Sequence, residues 1–498
     1  MTKINKISIE DLQSYLWGAA VLLRTSVDAG AYKQYIFPLL FFKRLSDVYD
    51  EERDRIMEEY DGDEDALNWE ENYSFMIPDG AHWSDVRAVS ADLGKALVDA
   101  FRKIENANAD KLQGIFGDAS WTNKNRLPDR LLKDLIEHFS SKTLSIANCP
   151  EDELGQGYEY LIKKFADDSG HTAQEFYTNR TVVHLMTEML KPESGESIYD
   201  PTCGSAGMLI SAIAYLKEQK KEWRNVSVYG QEINSLTSSI GRMNLFLHGV
   251  KDFTIANGDT LTSPFFLEKG RLKQFDLVLA NPPYSISQWN REAFATDKYG
   301  RNFLGVPSQG IADYAFLQHI FKSMDTISGR CAILLPRGVL SRYAEIDMRK
   351  QLIEQDIVEC IVAVGKGLFY NSPMESCIMI CRSKKSKLRE NKVLMINASN
   401  LIERIGTQNY LNQEHILKIS KVYEGFVEEQ GFSRVVSKKE ILKNEGSMSI
   451  SLYVPLSIDD ESETSNEQSL LDIFGKWEKS VERVDDETDK LISMLGEI

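Results

Sequence analysis

The chain has 498 residues, more than one hydrophobic core usually organises, so we expect two or three domains. Hydrophobic residues make up 42% and aromatic residues 10%, a balance typical of folded proteins rather than disordered ones. The net charge of −17 argues against strong nucleic-acid binding by this chain alone, although a local basic cleft or a partner could supply cations. No run approaches the ~20 apolar residues of a membrane helix, and MTKINKISIEDLQ lacks a signal-peptide core. We therefore expect a cytoplasmic protein without a membrane partner.

Residues 1–150 are predicted to form an all-helical N-terminal domain. Ser8 and Asp11 are spaced as in a capping box, and apolar residues at helical spacing follow them. A second apolar helix is predicted through FPLLFFKRLSDVYDEE, with Pro38 near its first turn. No alternation typical of strands stands out in this region.

Residues 151–425 are predicted to form a doubly wound α/β domain. Short apolar runs alternate here with helical stretches, which is typical of a parallel sheet covered by helices on both faces. Ligands of such sheets bind at the carboxyl ends of the strands. The strand candidates are SIYD, VSVYGQE, TIANGD, FDLVLA, RCAILLP, IVECIVAV, SCIMICR and VLMIN.

Residues 426–498 are predicted to form a C-terminal region with a linker and a helix. The segment 457–469 is polar and acidic, with little to bury. Apolar residues then follow at alternating four- and three-residue steps, the pattern of a coiled-coil seam. A helix docked on its own domain explains the same pattern, and both interpretations stay open. The seam positions are Leu470, Phe474, Trp477, Val481, Val484, Thr488, Leu491 and Leu495.

The six cysteines are scattered, and only Cys377 and Cys381 lie close together. A zinc site would need a second ligand pair, which no nearby His or Cys supplies. We therefore interpret the cysteines as buried, reduced thiols and expect no metal site.

The most informative motif is Asn281-Pro282-Pro283-Tyr284, directly after the predicted strand FDLVLA. Prolines would end a strand in any case, but the combination with an amide and an aromatic side chain suits one chemistry. An adenine exocyclic amine is a poor nucleophile because its lone pair is delocalised. The Asn281 oxygen and the Pro282 carbonyl could accept both amine hydrogens and hold the lone pair towards a methyl donor. Tyr284 offers a face on which a flipped base can stack.

A glycine-containing turn, Asp200-Pro-Thr-Cys-Gly204-Ser-Ala-Gly207, connects a predicted strand and helix. Such a turn alone could also bind a dinucleotide. The next predicted strand ends near Glu232, which could accept hydrogen bonds from ribose hydroxyls, and the following one ends near Asp259, which could accept from an adenine amine. Each acid alone could be a loop residue or a cap, but the ordered series favours an adenosyl ligand.

Together these motifs resemble the N6-adenine DNA methyltransferases, and more closely the modification subunits of type I restriction–modification systems. EFYTNR at 175–180, YDPTCGSAG, ADYAFLQH and GLFYNSP carry this resemblance from near residue 8 to at least 400. It implies catalysis by Asn281, Pro282, Pro283 and Tyr284, with Phe369 or Tyr370 as a second stacking wall for the base, unless they are core residues. It also implies S-adenosylmethionine contacts from Glu175, Phe176, Tyr177, Thr178, Asn179, Arg180, Asp200, Gly204, Ser205, Ala206, Gly207, Glu232 and Asp259.

The resemblance implies several partners: double-stranded DNA, a specificity subunit that reads the sequence, a second copy of this chain and a restriction subunit. The helical N-terminal domain and the C-terminal helix would provide the assembly surfaces. Methylation of a protein glutamine amide and a catalytically silent scaffold are the alternatives. Two positions depart from the family: Asn179 replaces a usual Pro and Ala206 a frequent Gly, from which we expect altered affinity at most.

Overall fold

The N-terminal region is helical, as predicted. The structure is a computed structural model that describes residues 6–24, 26–168, 178–284, 286–368, 375–405 and 408–455. Ser8 caps the first helix by accepting a hydrogen bond from the Asp11 backbone. The helices are α1 Ile9–Leu23, α2 Lys33–Glu59, α3 Trp83–Ala88, α4 Leu93–Ala107, α5 Ala109–Leu112, α6 Asp129–Ser140 and α7 Glu151–Asp168.

Helix α2 begins earlier than the sequence suggested. Its first residue is Lys33, because the backbone amides of Tyr35 and Ile36 already donate to the Tyr32 carbonyl. Pro38 therefore lies in the second turn rather than the first. The prediction of its place was wrong by about one turn.

The second region is a mixed nine-stranded sheet with helices on both faces. Its strand order is β13-β10-β8-β9-β7-β6-β1-β2-β3. The nine strands of this sheet are β1 Ser197–Asp200, β2 Ser227–Glu232, β3 Phe253–Asn257, β6 Leu277–Ala280, β7 Arg330–Pro336, β8 Val358–Val364, β9 Ser376–Arg382, β10 Lys392–Ala398 and β13 Ser433–Ser437. Two separate two-stranded sheets are formed by β4 Leu267–Glu268 with β5 Arg271–Leu272 and by β11 Glu403–Ile405 with β12 Gln408–Tyr410. The helices are α8 Arg180–Leu190, α9 Gly207–Glu218, α10 Ser235–Leu247, α11 Arg291–Ala295, α12 Asp313–Ser323, α13 Ile346–Glu354, α14 Gln413–Gly425, α15 Lys438–Lys443 and α16 Ile450–Tyr453.

Two hydrophobic clusters sandwich the sheet and confirm the doubly wound fold. One cluster packs α8, α9 and α14 on one face, and the other packs α12, α13, α15 and α16 on the opposite face. The expectation of a wholly parallel sheet was wrong, because β9 runs antiparallel to both β7 and β8, and β13 antiparallel to β10. A parallel partner needs a long crossover, and β9 follows β8 too closely for one.

The helical region packs directly on the sheet region. The cluster that holds α1, α2, α4 and α6 also takes in α7 and the apolar side of α10, through Ile240, Met243 and Leu247. Residues up to Val454 form one compact unit. The predicted boundaries at residues 150 and 425 stay predictions, although β13 extends the sheet beyond the second of them. The heptad positions 470–498 lie outside the described residues.

All six cysteines are buried and unbonded, as predicted. Cys377 and Cys381 lie on one face of β9, inside the same apolar cluster. In the described part of the chain, no group of three His, Cys, Asp or Glu side chains is placed to hold a metal ion. The described helices also include none that is long and apolar enough to cross a membrane.

Close packing in the helical region yields a stability prediction. A Cβ atom on Gly94 of α4 would lie 2.1 Å from the Trp121 carbonyl oxygen, so Gly94→Ala requires a backbone shift. We expect this change to lower the free energy of unfolding by about 1–3 kcal/mol, measured by urea denaturation with circular dichroism. Gly30→Ala is the control, because a Cβ at Gly30 meets nothing within 4 Å. Equal stability of the two variants would contradict this packing.

Candidate active site

The predicted site residues follow the carboxyl ends of four adjacent parallel strands. In the register, Asp200 of β1 pairs with Gly230, Glu232 of β2 pairs with Asn257, and Tyr199 pairs with Val278 of β6. The chain leaves β1 towards β2 on one side, whereas β6 and β7 lie on the other side. Such a reversal of strand order opens a crevice at the carboxyl edge, where ligands of this architecture bind. Asp200 ends β1 and Asn281 directly follows β6, the two strands that border the crevice.

The glycine-containing turn after β1 has a backbone that requires small residues. Gly204 takes φ +53° and Ala206 takes φ +65°, so Ala206 occupies the left-handed region that usually favours glycine. A Cβ atom on Gly207 would lie 1.7 Å from the Arg180 guanidinium. The close approach of Arg180 to the first turn of α9 therefore depends on glycine at position 207.

Two residues that the sequence analysis missed hold this turn in place. Glu159 of α7 forms an ion pair with Arg180 and accepts a 2.6 Å hydrogen bond from the Asn244 amide of α10. The same Asn244 amide donates to the Ser205 carbonyl at 2.9 Å. No local pattern marks Glu159, which lies in a helix with several other acids, so only the tertiary structure could identify it.

The two acids on the neighbouring strands are oriented by backbone amides. Glu232 accepts hydrogen bonds from the Gly204 and Asn234 amides at 3.0 and 2.9 Å. Asp259 accepts from the Leu261 amide at 2.9 Å and from the Thr262 hydroxyl. A carboxylate has about four acceptor positions, and the two bonds that Asp259 accepts leave room for a ligand.

Asp200 is the most perturbed acid of the site. Its pKa is raised to about 8, chiefly by burial and in smaller part by the nearby Glu232 carboxylate, while the hydrogen bond from the Thr202 amide opposes the shift. A cation beside Asp200 and Glu232 would favour the ionised form of both acids, and the sulfonium and ammonium groups of S-adenosylmethionine carry such a charge. The residues present therefore fit the cofactor that the sequence implied.

The Asn-Pro-Pro-Tyr segment turns its amide towards the segment that precedes α8. The Asn281 amide nitrogen donates to the Thr178 hydroxyl at 3.0 Å. The Asn281 Oδ1 atom is buried and has no hydrogen-bond partner among the residues that the structure describes. Pro282 is buried and Pro283 is exposed. Tyr284 is half-buried, and burial raises the pKa of its hydroxyl, with the nearby Asp313 acting in the same direction.

Asn179 acts as a helix cap. Its side chain accepts from the Thr181 amide at 3.0 Å and donates to the Asn409 carbonyl at 3.0 Å. The backbone has φ −55°, a value that proline also adopts. The side chain of Asn179 supplies the N-terminal cap of α8, which a proline side chain could not do.

Five predicted site residues cannot be placed. They lie outside the described residues, and their roles stay predictions. They are Glu175, Phe176, Tyr177, Phe369 and Tyr370.

Comparison with known proteins identifies the family. The family model described as N-6 DNA Methylase matches residues 150–462. A methylase subunit of a type I restriction enzyme from Methanocaldococcus jannaschii, MjaVIII, is 32% identical over 490 residues, covering 92% of this chain and 80% of that protein. The chain belongs to the type I restriction–modification methylase subunits of the N-6 DNA methylase family.

Further similarities extend this family assignment over both regions of the chain. The HsdM N-terminal domain model matches residues 12–139. The MjaIX methylase subunit of the same organism is 28% identical over 98% of this chain and 91% of its own length. A crystal structure of the type I restriction–modification methyltransferase subunit from Streptococcus thermophilus has a TM-score of 0.79 at 27% identity, covering 90% of this chain and 100% of that one. The resemblance inferred from the sequence is confirmed, and the chain is a DNA methyltransferase by family.

The raised pKa of Asp200 predicts a pH dependence of stability. An ordinary carboxyl group titrates near pH ~4, so between about pH 4 and 8 the folded state binds a proton that the unfolded state has lost. The free energy of unfolding should therefore decrease as the pH rises through this range and level off above pH 8. Asp200→Asn should flatten this decrease, measured by urea denaturation at pH 5, 6, 7 and 8.

The control for this titration is Asp134→Asn, a change in an exposed acid of α6. It should keep the wild-type pH profile. Parallel profiles for the wild type and Asp200→Asn would contradict the assignment to Asp200.

Proposed function

We propose that this chain transfers a methyl group from S-adenosylmethionine to the N6 amino group of an adenine flipped out of duplex DNA. In this proposal the chain is the modification subunit of a type I complex, and a separate specificity subunit selects the DNA sequence. The family supports DNA methylation, and the geometry at the crevice between β1 and β6 supports adenine as the target.

The observation that carries the proposal is the unsatisfied acceptor of Asn281. Its Oδ1 atom is buried and lacks a hydrogen-bond partner within the described ranges, while its nitrogen is held by Thr178. Leaving a buried acceptor unsatisfied costs about 1–3 kcal/mol, and an adenine amine would supply the missing donor. Thr178 belongs to the segment 175–180, for which we propose cofactor contacts, so the amide lies beside the expected methyl donor.

Three groups of the motif would activate and hold the base. The Asn281 oxygen and the Pro282 carbonyl accept the two amine hydrogens, which draws the nitrogen towards tetrahedral geometry and exposes its lone pair. Tyr284 stacks against the flipped base. The cofactor supplies an electrophilic methyl group on its sulfonium. The second stacking wall, from Phe369 or Tyr370, is part of the same proposal.

The cofactor would lie over the ends of β1, β2 and β3. Asp200 faces its cationic end, Glu232 accepts from the ribose hydroxyls, and Asp259 accepts from the adenine amine. The turn from Gly204 to Gly207 brings its backbone close to the ligand, and the Arg180–Glu159 ion pair fixes that turn. Segment 175–180 would cover the methionine part.

The net charge of the chain supports the proposal that DNA binding depends on partners. A chain of charge −17 needs help to bind a polyanion. We therefore propose that two copies of this chain assemble around the specificity subunit on double-stranded DNA, and that a restriction subunit joins them. The helical N-terminal domain and the segment 470–498 would form the assembly contacts.

Transfer of a labelled methyl group tests the proposal. The chain, its specificity partner and a DNA substrate are incubated with methyl-labelled S-adenosylmethionine. Label at N6 of adenine supports the proposal. Label in protein would instead indicate a glutamine-amide methyltransferase, and no label in either would indicate a silent scaffold.

Asn281→Ala should lower the rate of this transfer about 10²-fold or more, because it removes one preorganised acceptor at the reacting amine. Cofactor affinity, measured by isothermal titration calorimetry, should change much less. Asn302→Ala is the control, since the Asn302 side chain is half-buried and its amide donates to the Ala295 carbonyl at 2.9 Å, in a hydrogen bond that is open to solvent. Normal turnover of Asn281→Ala would contradict the mechanism.

Deletion of residues 470–498 should weaken assembly with the specificity subunit, because it removes the predicted coiled-coil seam. Complex formation is measured by size-exclusion chromatography of the mixed subunits. Cofactor affinity of the truncated chain serves as the control and should be unchanged. An unaltered elution profile of the complex would show that this segment packs elsewhere.

A further inference from the structure

A buried arginine lies between the Asn-Pro-Pro-Tyr motif and α12. Arg301 and its partner Asp297 are each only 2% exposed in their side chains. The Arg301 Nε and Nη2 atoms donate to the Asp297 carboxylate at 3.0 and 2.7 Å. Removing such a pair from water is costly unless the remaining donors are also satisfied.

The remaining donors of Arg301 bind the loop that follows β3. Nη1 donates to the Thr260 carbonyl at 2.9 Å, and Nη2 donates to the Leu261 carbonyl at 2.7 Å. This loop begins at Asp259, the acid proposed to accept from the cofactor adenine. Arg301 therefore connects the segment after the catalytic motif to the adenine-binding loop.

One peptide group transmits this contact to Asp259. The carbonyl of Thr260 and the amide of Leu261 belong to the same planar unit. Arg301 binds its oxygen, and its N–H donates to the Asp259 carboxylate at 2.9 Å. The guanidinium thus fixes the plane of the peptide that orients Asp259 and strengthens its hydrogen bond by polarisation.

His319 of α12 completes the cluster in one tautomer. Its Nδ1 atom lies 3.3 Å from the Arg301 Nη1 atom, and a guanidinium can only donate, so Nδ1 is the acceptor. Its Nε2–H therefore donates to the Tyr199 hydroxyl at 3.0 Å. Burial, together with Arg301, keeps the pKa of His319 well below its usual value. Tyr199 precedes Asp200 on β1. The cluster therefore connects the carboxyl end of β1 with the loop that follows β3.

We propose that Arg301 is a positioning residue for the adenosyl cofactor. It fixes the peptide that orients Asp259, and it links the loop after β3 to the segment 286–304, so that a cofactor bound at the loop also stabilises this segment. This inference rests on the proposed function, because it takes the adenosyl group as the ligand of the loop. Arg301 itself does not touch the cofactor. Its effect on Asp259 passes through the Thr260–Leu261 peptide.

Arg301→Lys tests this role. Lysine keeps the charge opposite Asp297 but lacks the planar fork that reaches two carbonyls and a carboxylate together. The dissociation constant for S-adenosylmethionine, measured by calorimetry, should rise about 10- to 100-fold, as when an outer partner of a ligand-binding group is lost. The rate of methyl transfer at saturating cofactor should stay near that of the wild type.

Arg291→Lys is the matched control within the same segment. The Arg291 Nε atom donates to the Pro307 carbonyl and not to the adenine-binding loop, so this change should leave cofactor affinity nearly unaltered. A double-mutant cycle that combines Arg301→Lys with Asp259→Asn shows whether Arg301 changes cofactor affinity through Asp259 or by loosening the fold around the site. If Arg301 acts through Asp259, the two losses are not additive. Additive losses would overturn the proposal.

Hydrogen exchange of the wild type decides the question even if Arg301→Lys does not fold. Binding of S-adenosylmethionine should slow amide exchange both at 259–262 and at 286–304. Protection confined to 259–262 would overturn the coupling.

Equal cofactor affinity of the wild type and Arg301→Lys would overturn the positioning role but leave the proposed function standing. Failure of the wild type to bind the cofactor would overturn the proposed function itself.

Discussion

The structure depends on the reversal of strand order between β1 and β6. These two strands are parallel neighbours whose connections lead to opposite sides of the sheet, an arrangement that opens a crevice at their carboxyl ends. The loops after β1 and β6 therefore face each other across a crevice. The chemistry proposed for this protein needs a methyl donor and an amine to meet. With this topology, the donor would lie at the loop after β1 and the amine at the loop after β6.

The loops around that crevice are held by charges drawn from distant parts of the chain. Arg180 and Glu159 fix the glycine-containing turn, and Arg301 with Asp297 fixes the loop after β3. Other arginines also make contacts within the chain. Arg44 donates to the Leu144 and Cys149 carbonyls, and Arg330 forms an ion pair with Glu196. These cations are unavailable to DNA phosphates. Together with the net charge of −17, this internal use of arginines favours the proposal that a partner supplies DNA affinity.

Predictions from local pattern succeeded where the pattern itself carried the physical cause. The alternation of apolar strands and helices predicted the sheet with two covered faces, and the cap at Ser8 formed as its spacing indicated. Errors arose where local geometry that the pattern does not record decided the outcome. The direction of β9 follows from its short connection to β8, and α2 begins early because the Tyr32 carbonyl already accepts from the Tyr35 and Ile36 amides.

The sequence by itself determined the order of the strands along the chain, the residues at their carboxyl ends and the family. These follow from hydrophobic periodicity and from motifs that are continuous in the chain. Only the tertiary structure decided that Glu159, Asn244, Arg301 and His319 support the site, and that the Asn281 oxygen is left without a described partner. The physical reason is that hydrogen bonds and ion pairs join atoms close in space, and these partners lie tens of residues apart in the chain.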